Sequence, residues 1–424
     1  MNRWISEEPR PEGALVREQS FEPSCIDPSA LKVVSRLQAY GYEAYFVGGC
    51  VRDLLLGRRP KDFDVATSAT PDEIKRLFKN CRIIGRRFRL AHIIFGEKII
   101  ETATFRRNPR SEADEADDLY LRRDNVFGTP EEDARRRDFT VNGLYYDPST
   151  HRLIDYVGGL EDLERRIVRA IGDPDIRMQE DPVRILRAIK FAARLGFDID
   201  PPTYEAMLTH RALIRRCAPA RVVEEIFRLL RAGAAAPSMR LLAATGVLEV
   251  VLPSLHAELA HEGSTNGKTW TRLLATLDAL DRVAKNATSP PTNAFLLATL
   301  VRPFVDDILT PRARQDVVQN ALARRVRHWL EELHAFRSDT ASALELLALQ
   351  PLVSGSTEKV RHRRVRHRHA LFGEAVTLRG LYAEACGETA VYLDEWIALL
   401  ASVTAPPPPS HTKEQRPHRR PWRP

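Results

Sequence analysis

Apolar residues in the first third of the chain alternate between helical and strand periodicity. Leu31, Val34 and Leu37 recur at helical spacing, Gly41 ends that helix, and the apolar run 44–47 predicts a strand. Three later runs are rich in β-branched residues and also predict strands: 82–84, 91–95 and 98–105. Thr70 precedes a helix as its N-cap. This mixed order predicts a small α/β domain.

The pattern changes after about residue 205, where apolar positions follow a helical period. Predicted helices cover 221–230, 238–251 and 273–283. The fold class expected for the whole chain is therefore α+β, with a small mixed α/β domain followed by all-α domains.

Both ends of the 424-residue chain are polar and rich in proline. Residues 1–29 are predicted to be a flexible extension, and residues 405–424 a disordered basic tail of proline and arginine. Between them we predict three domains: a mixed α/β head at 30–155, a helical neck at 156–240 and a helical body at 241–404.

Charge and cysteine content narrow the class of protein. The chain has 64 Lys and Arg against 57 Asp and Glu, and its net charge of +7 suits a polyanionic partner. Its five cysteines are scattered, which predicts reduced thiols in a cytoplasmic protein and no zinc site. The N-terminus lacks a signal-peptide pattern, and we expect no membrane association.

A glycine pair and an aspartate pair lie close together in the sequence. Asp62 and Asp64 are two apart in a segment with strand character, so both side chains leave one face and can hold metal ions between them. Gly48 and Gly49 let backbone amides approach a triphosphate, and Arg52 can neutralise phosphate charge. Each pair alone fits a solvated strand end or an ordinary turn. Together they favour phosphoryl or nucleotidyl transfer.

The runs 41–49 and 61–67 resemble the head domain of class II polymerase-β-type nucleotidyltransferases, which comprise the bacterial poly(A) polymerases and the CCA-adding tRNA nucleotidyltransferases. Three further motifs are similar to that family: Arg-Arg-Asp-Phe-Thr-Val-Asn at 136–142, Glu-Asp-Pro-Val-Arg at 180–184, and the segment 187–193. The resemblance covers residues 35–235. It implies a nucleotidyltransferase head in which Asp62 and Asp64 bind two Mg²⁺ ions, with ATP as substrate and RNA 3′ ends as acceptor.

A third metal carboxylate is expected, and two residues compete for it. Glu101 lies on a predicted strand that can neighbour the aspartate strand, although it also fits a surface glutamate. Asp138 belongs to the Arg-Arg-Asp-Phe motif, whose aspartate lies in the active site of the family. The resemblance therefore favours Asp138 over Glu101.

The second motif supplies candidate nucleotide-binding residues. Asp133 and Arg136 are three apart on one helical face and are expected to pair and contact a ribose hydroxyl or a phosphate. Arg137 and Asn142 of the same motif are also assigned to nucleotide binding. The alternative is a salt-bridged, solvated helix start.

The third motif predicts a helix start, with Asp181 as N-cap and Pro182 at the first helical position. In the family, the matching aspartate and arginine bond to the Watson–Crick edge of the incoming base, which assigns that role to Asp181 and Arg184. Such a pair accepts adenine and cytosine and rejects guanine and uracil. Arg187 is a further nucleotide-binding candidate, and a capped helix with an arginine face is the alternative.

A dense positive run at 361–369 is the main candidate for RNA contact in the predicted body. Its five arginines are Arg361, Arg363, Arg364, Arg366 and Arg368. A solvated helix face would also explain them.

The segment 85–92 resembles the poly(A) polymerase branch of the family more than the CCA-adding branch. The predicted function is therefore template-independent addition of AMP from ATP to RNA 3′ ends, in mRNA processing and turnover, with RNA-decay proteins as partners. CCA addition to tRNA is the alternative within the family. A non-catalytic RNA-binding protein is a third hypothesis, which the intact Asp62 and Asp64 pair disfavours.

Overall fold

The computed structural model describes residues 13–85, 89–107, 127–263, 267–286, 289–310, 314–360, 365 and 369–404. The chain divides into two compact units, Met1–Pro253 and Ser254–Pro424. The five arginines predicted to contact RNA and the predicted basic tail at 405–424 lie outside the described residues.

A mixed eight-stranded sheet lies at the centre of the first unit, in the order β1-β8-β7-β2-β3-β6-β5-β4. Among these strands, β3 and β6 pair in parallel, and the other neighbours are antiparallel. The strands are β1 (Leu15–Glu18), β2 (Ala44–Val47), β3 (Asp64–Thr67), β4 (Cys81–Ile84), β5 (Leu90–Phe95), β6 (Lys98–Thr104), β7 (Leu144–Asp147) and β8 (Arg152–Asp155). A small parallel pair joins β9 (Ile167–Val168) and β10 (Asp198–Ile199).

Helices surround this sheet and continue beyond it. In the first unit they are α1 (Pro28–Ala39), α2 (Gly49–Leu55), α3 (Pro71–Leu77), α4 (Pro130–Arg136), α5 (Gly159–Arg165), α6 (Pro174–Glu180), α7 (Val183–Leu195), α8 (Pro201–His210), α9 (Pro219–Arg231), α10 (Ala235–Ala244) and α11 (Val247–Val251). Helix α12 (Pro253–Gly263) begins at the division between the units.

In the described residues of the second unit, every element of regular secondary structure is a helix. Its helices are α13 (Lys268–Asn286), α14 (Asn293–Val301), α15 (Gln315–Arg325), α16 (Arg327–Glu332), α17 (Arg337–Ala348), α18 (Gln350–Val353), α19 (His369–Cys386) and α20 (Leu393–Thr404). The predicted α+β class is confirmed, with a mixed sheet domain followed by a mostly helical remainder. The finer division into head, neck and body stays a prediction. None of the helices described here is long and apolar enough to span a membrane.

Helix starts follow local capping chemistry in two places that matter for the site. The predicted N-cap Thr70 is confirmed, because its side chain accepts from the Glu73 amide in a capping box at the start of α3. Thr129 and Glu132 form the same box at the start of α4. These caps satisfy backbone donors that the first turn of a helix leaves without partners.

Two local predictions are wrong. Residues 1–29 are not wholly a flexible extension, because 15–18 form β1, which pairs antiparallel with β8 at the edge of the sheet. A four-residue strand has too little periodicity to be recognised, and tertiary pairing stabilises it. Helix α7 begins at Val183 with Pro182 as its N-cap, and Asp181 is instead the C-cap residue of α6.

Candidate active site

The turn between β2 and α2 requires a glycine at position 48. Gly48 has φ +71°, and a Cβ there would lie 2.9 Å from Nη1 of Arg137. Its amide donates to the Leu144 carbonyl at 3.0 Å, so this N–H is already used within the fold. The glycine therefore allows the Arg137 guanidinium to approach the backbone closely.

Two aspartates and a glutamate lie near the start of β3. Asp62 and Asp64 are exposed while Phe63 between them is buried, so the two aspartates leave the same side of the chain. Strand β6 pairs in parallel with β3, with Val65 opposite Thr102, and one step earlier in that register Asp64 lies opposite Glu101. The sheet therefore brings Glu101 beside the aspartate pair.

Asp64 shows the electrostatic consequence of this arrangement. Asp64 is an exposed residue, but the surrounding protein removes much of the hydration of its carboxylate. This desolvation, followed by the negative charges of Glu101 and Asp62, raises the pKa of Asp64 to about 6, although the positive charge of Arg137 opposes the rise. A concentration of oxygen ligands and negative charge of this kind is neutralised by a hard divalent cation.

Arg52 is buried at the other side of the Gly48 turn. Its guanidinium donates to Asp53 Oδ1 through Nε at 2.9 Å and Nη2 at 2.7 Å, and through Nη1 to the Asn142 side chain. Arg194 adds a second ion pair to Asp53 at 3.2 Å. Burial lowers the pKa of Arg52 and the Asp53 charge opposes that effect. Arg52 thus lines the site as part of a compensated buried pair.

Asp138 is held by three donors. Arg187 Nε donates to its Oδ2 at 2.7 Å, Asn142 Nδ2 to its Oδ1 at 3.1 Å, and the Phe139 amide to Oδ1 at 2.9 Å. Burial alone would raise the pKa of Asp138, but the Arg187 charge and these hydrogen bonds hold it below its usual value. The sequence favoured Asp138 as third carboxylate. In the structure, Glu101 lies opposite Asp64 in the sheet register, whereas Asp138 is paired with Arg187, and the identity of the third carboxylate stays a prediction.

The predicted pair between Asp133 and Arg136 is wrong. Asp133 Oδ2 accepts from Tyr145 Oη at 2.6 Å and from Arg137 Nη2 at 3.1 Å, and Oδ1 accepts from the Arg106 amide. Arg137 is the first residue after α4. Asp133 therefore pairs with the residue four positions later, together with Tyr145 of the sheet, and not with Arg136 three positions later. Burial alone would lower the pKa of Arg137, but Tyr145 and Asp133 raise it above its usual value.

Asp181 and Arg184 are positioned by the turn between α6 and α7. Asp181 accepts from Arg221 Nη2 at 2.7 Å and from the Val183 amide at 3.3 Å. Arg184 Nη1 donates to the Arg177 carbonyl at 2.7 Å and to Glu180 at 3.1 Å. Both side chains are thereby held at the same end of α7.

Arg177 connects this turn to the second motif. Its Nη2 donates to the carbonyls of Arg136 and Arg137, each at 2.7 Å, and its Nη1 donates to Glu180 at 2.7 Å. The residue is 7% exposed. One buried guanidinium therefore joins the end of α4 to the segment that carries Asp181 and Arg184.

The first cleft, of about 420 Å³, brings most of the predicted residues together. The predicted residues that line it are Gly48, Gly49, Arg52, Asp64, Arg137, Asp138, Asn142, Asp181, Arg184 and Arg187. Phe191, Arg194 and Arg221 also line it and were missed by the sequence analysis. Phe191 and Arg194 continue the helical spacing of Arg187 along α7, a signal that could have identified them. Arg221 lies far along the chain and has no such signal.

The second cleft, also of about 420 Å³, shares Arg137 with the first. It is lined by Ile84, Gly85, Leu90, Ala103, Thr104, Arg106, Asp133, Arg136 and Arg137. Asp133 and Arg136 therefore do not join the other predicted nucleotide-binding residues. Asp62 and Glu101 flank Asp64 without lining either cleft.

The residues at β3 fit a magnesium site. In the described part of the chain, no three His, Cys, Asp or Glu side chains are arranged as a metal site by themselves. Mg²⁺ is commonly bound through one or two carboxylates and completed by substrate phosphates and water. Asp62 and Asp64, with Glu101 beside them, match that donor chemistry.

Two family models match the chain. A model described as the poly A polymerase head domain matches residues 44–169. A model described as the probable RNA and SrmB-binding site of polymerase A matches residues 196–259. The first match includes the carboxylates and Gly48, whereas Asp181 and Arg184 lie between the two matches.

Known proteins of two activities are similar to this chain. Poly(A) polymerase I of Salmonella typhi is 52% identical over 231 residues, which are 53% of this chain and 48% of that one. The CCA-adding enzyme of Geobacillus kaustophilus is 31% identical over 342 residues, which are 80% of this chain and 82% of that one. The chain thus spans about half the length of the poly(A) polymerases it matches.

A solved structure also resembles the chain. The crystal structure of the Bacillus stearothermophilus CCA-adding enzyme in complex with CTP is similar with a TM-score of 0.66 and 26% identity. The similarity covers 89% of this chain and 83% of that one.

Proposed function

Since the chain belongs to the nucleotidyltransferase family that comprises bacterial poly(A) polymerases and CCA-adding enzymes, we propose that it is a poly(A) polymerase that adds AMP from ATP to RNA 3′ ends. The observation that carries this proposal is the first cleft, which combines Asp64 with Asp181 and Arg184 in one space. The higher identity to poly(A) polymerase I, over about half of the chain, supports ATP over CTP as substrate.

The charge of the first cleft suits a nucleoside triphosphate. Six arginines and three aspartates line it, so the lining carries a net positive charge. Arg52, Arg187 and Arg194 are fixed by carboxylates of the fold, and their remaining donors can meet phosphate oxygens without reorganisation. Because the Gly48 amide is bonded to Leu144, we assign phosphate binding to these guanidinium groups and not to that amide.

Asp62 and Asp64 are the proposed magnesium ligands, and Glu101 is the proposed third carboxylate. Magnesium bound there supplies charge neutralisation for the attacking oxygen and for the leaving pyrophosphate. In the reaction, the RNA 3′ oxygen forms a bond to the α-phosphorus of ATP while the bond to pyrophosphate breaks. The hydroxyl proton is released to solvent, and the arginines stabilise the negative charge of pyrophosphate.

Asp181 and Arg184 are the proposed base-reading pair. Arg221 and the Val183 amide donate to Asp181 and hold its carboxylate in place, and a carboxylate is a hydrogen-bond acceptor. A carboxylate acceptor selects a base with an exocyclic amino group, and adenine and cytosine have one. This chemistry alone does not separate ATP from CTP.

The test is incubation of the protein with Mg²⁺, an unstructured oligonucleotide or a tRNA lacking its 3′ CCA, and ATP or CTP. Long ladders with ATP on the oligonucleotide and little use of CTP are expected. An Asp62→Asn variant is the matched control and should give no ladder. No incorporation by the unaltered chain would overturn the proposal and favour an RNA-binding protein without catalysis.

CCA addition is the second candidate. The similarity to CCA-adding enzymes covers most of the chain, whereas the similarity to poly(A) polymerase I covers about half of it. Addition that stops after CCA on the truncated tRNA, with use of both CTP and ATP, would establish this function.

The RNA partner of the second unit is a further part of the proposal. We expect the arginines Arg361, Arg363, Arg364, Arg366 and Arg368 to contact RNA phosphates, which stays a prediction. A cytoplasmic role in RNA turnover, with RNA-decay proteins as partners, is proposed on the same basis.

A further inference from the structure

We propose that Phe191 is a positioning residue for the triphosphate, whose electron-rich ring face holds Arg52 and Arg187 together at the first cleft although both are cations. This inference rests on the proposed function, because it concerns two of the arginines to which phosphate binding is assigned there.

Three cations lie over the Phe191 ring. The ring centroid is 5.2 Å from Cζ of Arg52, 5.6 Å from Cζ of Arg187 and 4.9 Å from Nζ of Lys190. Each distance lies within the ~6 Å over which the negative face of an aromatic ring attracts a cation. The ring therefore attracts all three cations at a place where they repel one another.

Helical spacing and tertiary packing bring these cations to one ring. Arg187 and Phe191 are four apart on α7, so they lie on the same side of that helix, and Lys190 directly precedes Phe191. Arg52 belongs to α2. The ring itself packs edge to face against Phe139, with centroids 5.8 Å apart and an angle of 75° between the planes. Phe191 is 8% exposed, so packing holds its ring in place.

The cations at this ring are also compensated by carboxylates from separate elements. The shortest ion pairs are 2.7 Å, 2.5 Å and 2.7 Å long and join Arg52 to Asp53 of α2, Arg187 to Asp138 after α4, and Lys190 to Glu225 of α9. Phe191 is common to all three cations.

The repulsion between the cations is visible at Lys190. Burial lowers the pKa of Lys190, the charge of Glu225 opposes that effect, and the positive charge of Arg187 lowers the pKa further. Cations this close to one another need more than one source of attraction to stay together. The ring face supplies one that does not neutralise their charge.

The position of the ring connects this attraction to the nucleotide. Phe191, Arg52 and Arg187 all line the first cleft. A ring that keeps two guanidinium groups together before the triphosphate arrives lowers the free energy needed to assemble the site. With a weaker attraction the guanidinium groups would move apart, and ATP would have to bring them back against their repulsion. Phe191 should therefore act on KM for ATP more than on kcat.

The first experiment replaces Phe191 with phenylalanine analogues that carry one, two or three ring fluorines. Fluorine withdraws electron density from the ring face and changes the ring volume little, so the attraction to cations weakens while packing is kept. We expect KM for ATP to rise with each fluorine, to about fivefold for the trifluorinated ring, which is the size of a cation–ring contact. The value of kcat should change by less than about twofold.

The same fluorinated residues at Phe372 are the matched control. Phe372 lies in the second unit, where its buried ring stacks on Trp396 with centroids 5.7 Å apart. Fluorination there should leave KM for ATP within about twofold of the parent value. A rise in KM equal to that of the Phe191 series would show that fluorination acts through packing, and it would overturn the proposal.

Phe191→Leu tests the same role with an ordinary substitution. Leucine keeps an apolar side chain at this position but has no ring face, so KM for ATP should rise at least as much as with the trifluorinated ring. Urea unfolding shows whether the variant is folded. The fluorinated series keeps the proposal testable if Phe191→Leu fails to fold.

Binding of inorganic triphosphate in the presence of Mg²⁺, measured by calorimetry, separates the role of Phe191 from the proposed function. Its Kd should rise along the fluorinated series as KM for ATP does, because the ring acts on the arginines and not on the base. If the unaltered chain adds no nucleotide but its binding of triphosphate weakens with each fluorine, the proposed function fails and the role of Phe191 stands.

Three results would overturn the role of Phe191. One is a KM for ATP that is the same for every fluorinated ring, with nucleotide addition retained. Another is a rise in KM for ATP with no change in triphosphate binding, which would mean that the ring contacts the base. The third is a failure of the unaltered chain to bind triphosphate.

Discussion

The two clefts of the first unit have equal volumes and share Arg137, but they are built in different ways. The first is lined by arginines and aspartates that bond to one another, as Arg187 does to Asp138. The second has an apolar strip of Ile84, Leu90 and Ala103 with arginines at its rim. The difference shows how a single arginine can join a site that positions charge to a site that offers a contact surface.

Ion pairs in the first cleft position its side chains more than they stabilise the fold. Burial of a charged pair such as Arg52 and Asp53 costs hydration free energy, and the Coulomb attraction between the two charges offsets much of that cost. Each pair therefore contributes little net stability. They do hold guanidinium groups in fixed positions, which lowers the reorganisation needed when a triphosphate binds.

Asp64→Asn is the substitution with the largest expected effect on activity, and it acts on the first cleft alone. This change removes a proposed metal ligand, and we expect nucleotide addition to fall by about 10³-fold, the effect of losing several kcal/mol of charge stabilisation. Binding of a 3′-deoxy RNA should change by less than about twofold, because the substitution removes a proposed metal ligand and leaves the arginines of the first cleft in place. Activity and RNA anisotropy are the measurements, and Asp394→Asn on exposed α20 is the control. Addition at the parent rate would disprove the role of Asp64.

Gly48→Ala is expected to displace Arg137, the residue that lines both clefts. Its new Cβ would lie 2.9 Å from Arg137, so the shared guanidinium must move, and addition should fall by about 10²-fold. Gly57→Ala is the matched control, because Gly57 also has a positive φ, of +66°, but has open space around it.

The Gly57 control should show the cost of backbone strain alone, about 1–2 kcal/mol in the free energy of unfolding by urea titration, with activity retained. Equal loss of activity in both variants would mean that strain, and not the position of Arg137, explains the effect.

Arg177→Met should weaken both clefts together. It removes the guanidinium that donates to the carbonyls of Arg136 and Arg137, and two partly buried acceptors lose this donor. We expect a loss of about 3 kcal/mol in unfolding free energy and a rise in KM for both ATP and RNA. Arg165→Met removes an exposed ion pair with Glu161 and should cost about 0.5 kcal/mol or less. A rise in KM for one substrate alone would show that the clefts are independent.

The smallest expected effect is a pH dependence that belongs to the first cleft. The pKa of Asp64 is raised from 3.8 to about 6, so the folded chain binds this proton more tightly than the unfolded chain. The stabilisation by protonation is complete below pH 3.8 and is lost as the pH rises through 6. Asp64→Asn should therefore raise Tm in metal-free buffer at pH 7.5 and have much less effect near pH 4.

Magnesium should stabilise the unaltered chain in the same pH window. It should raise Tm at pH 7.5 and much less at pH 5, where the protonated Asp64 carboxyl competes with the metal. The Asp64→Asn substitution should abolish most of the difference between the magnesium-induced rises in Tm at the two pH values. A magnesium effect that is the same at both pH values would show that Asp64 is not a ligand.

Much of the first cleft could be predicted from sequence because its residues lie in short motifs. Gly48, Asp64, Asp181 and Arg184 line one space as their motifs indicated. Long-range partners escaped prediction, such as Arg221, which donates to Asp181 across forty positions of sequence. The pairing of Asp133 with Arg137 also depends on Tyr145, a strand residue that helical spacing does not reveal.

The sequence by itself determined the fold class, the glycine at the β2–α2 turn and the carboxylates near β3, because local periodicity and residue chemistry carry that information. Only the tertiary structure decided which third carboxylate lies beside Asp64 and which apolar residues adjoin it. Both depend on the register of β6 against β3 and β5, since a one-residue shift would turn Glu101 and Ala103 to the opposite face of the sheet.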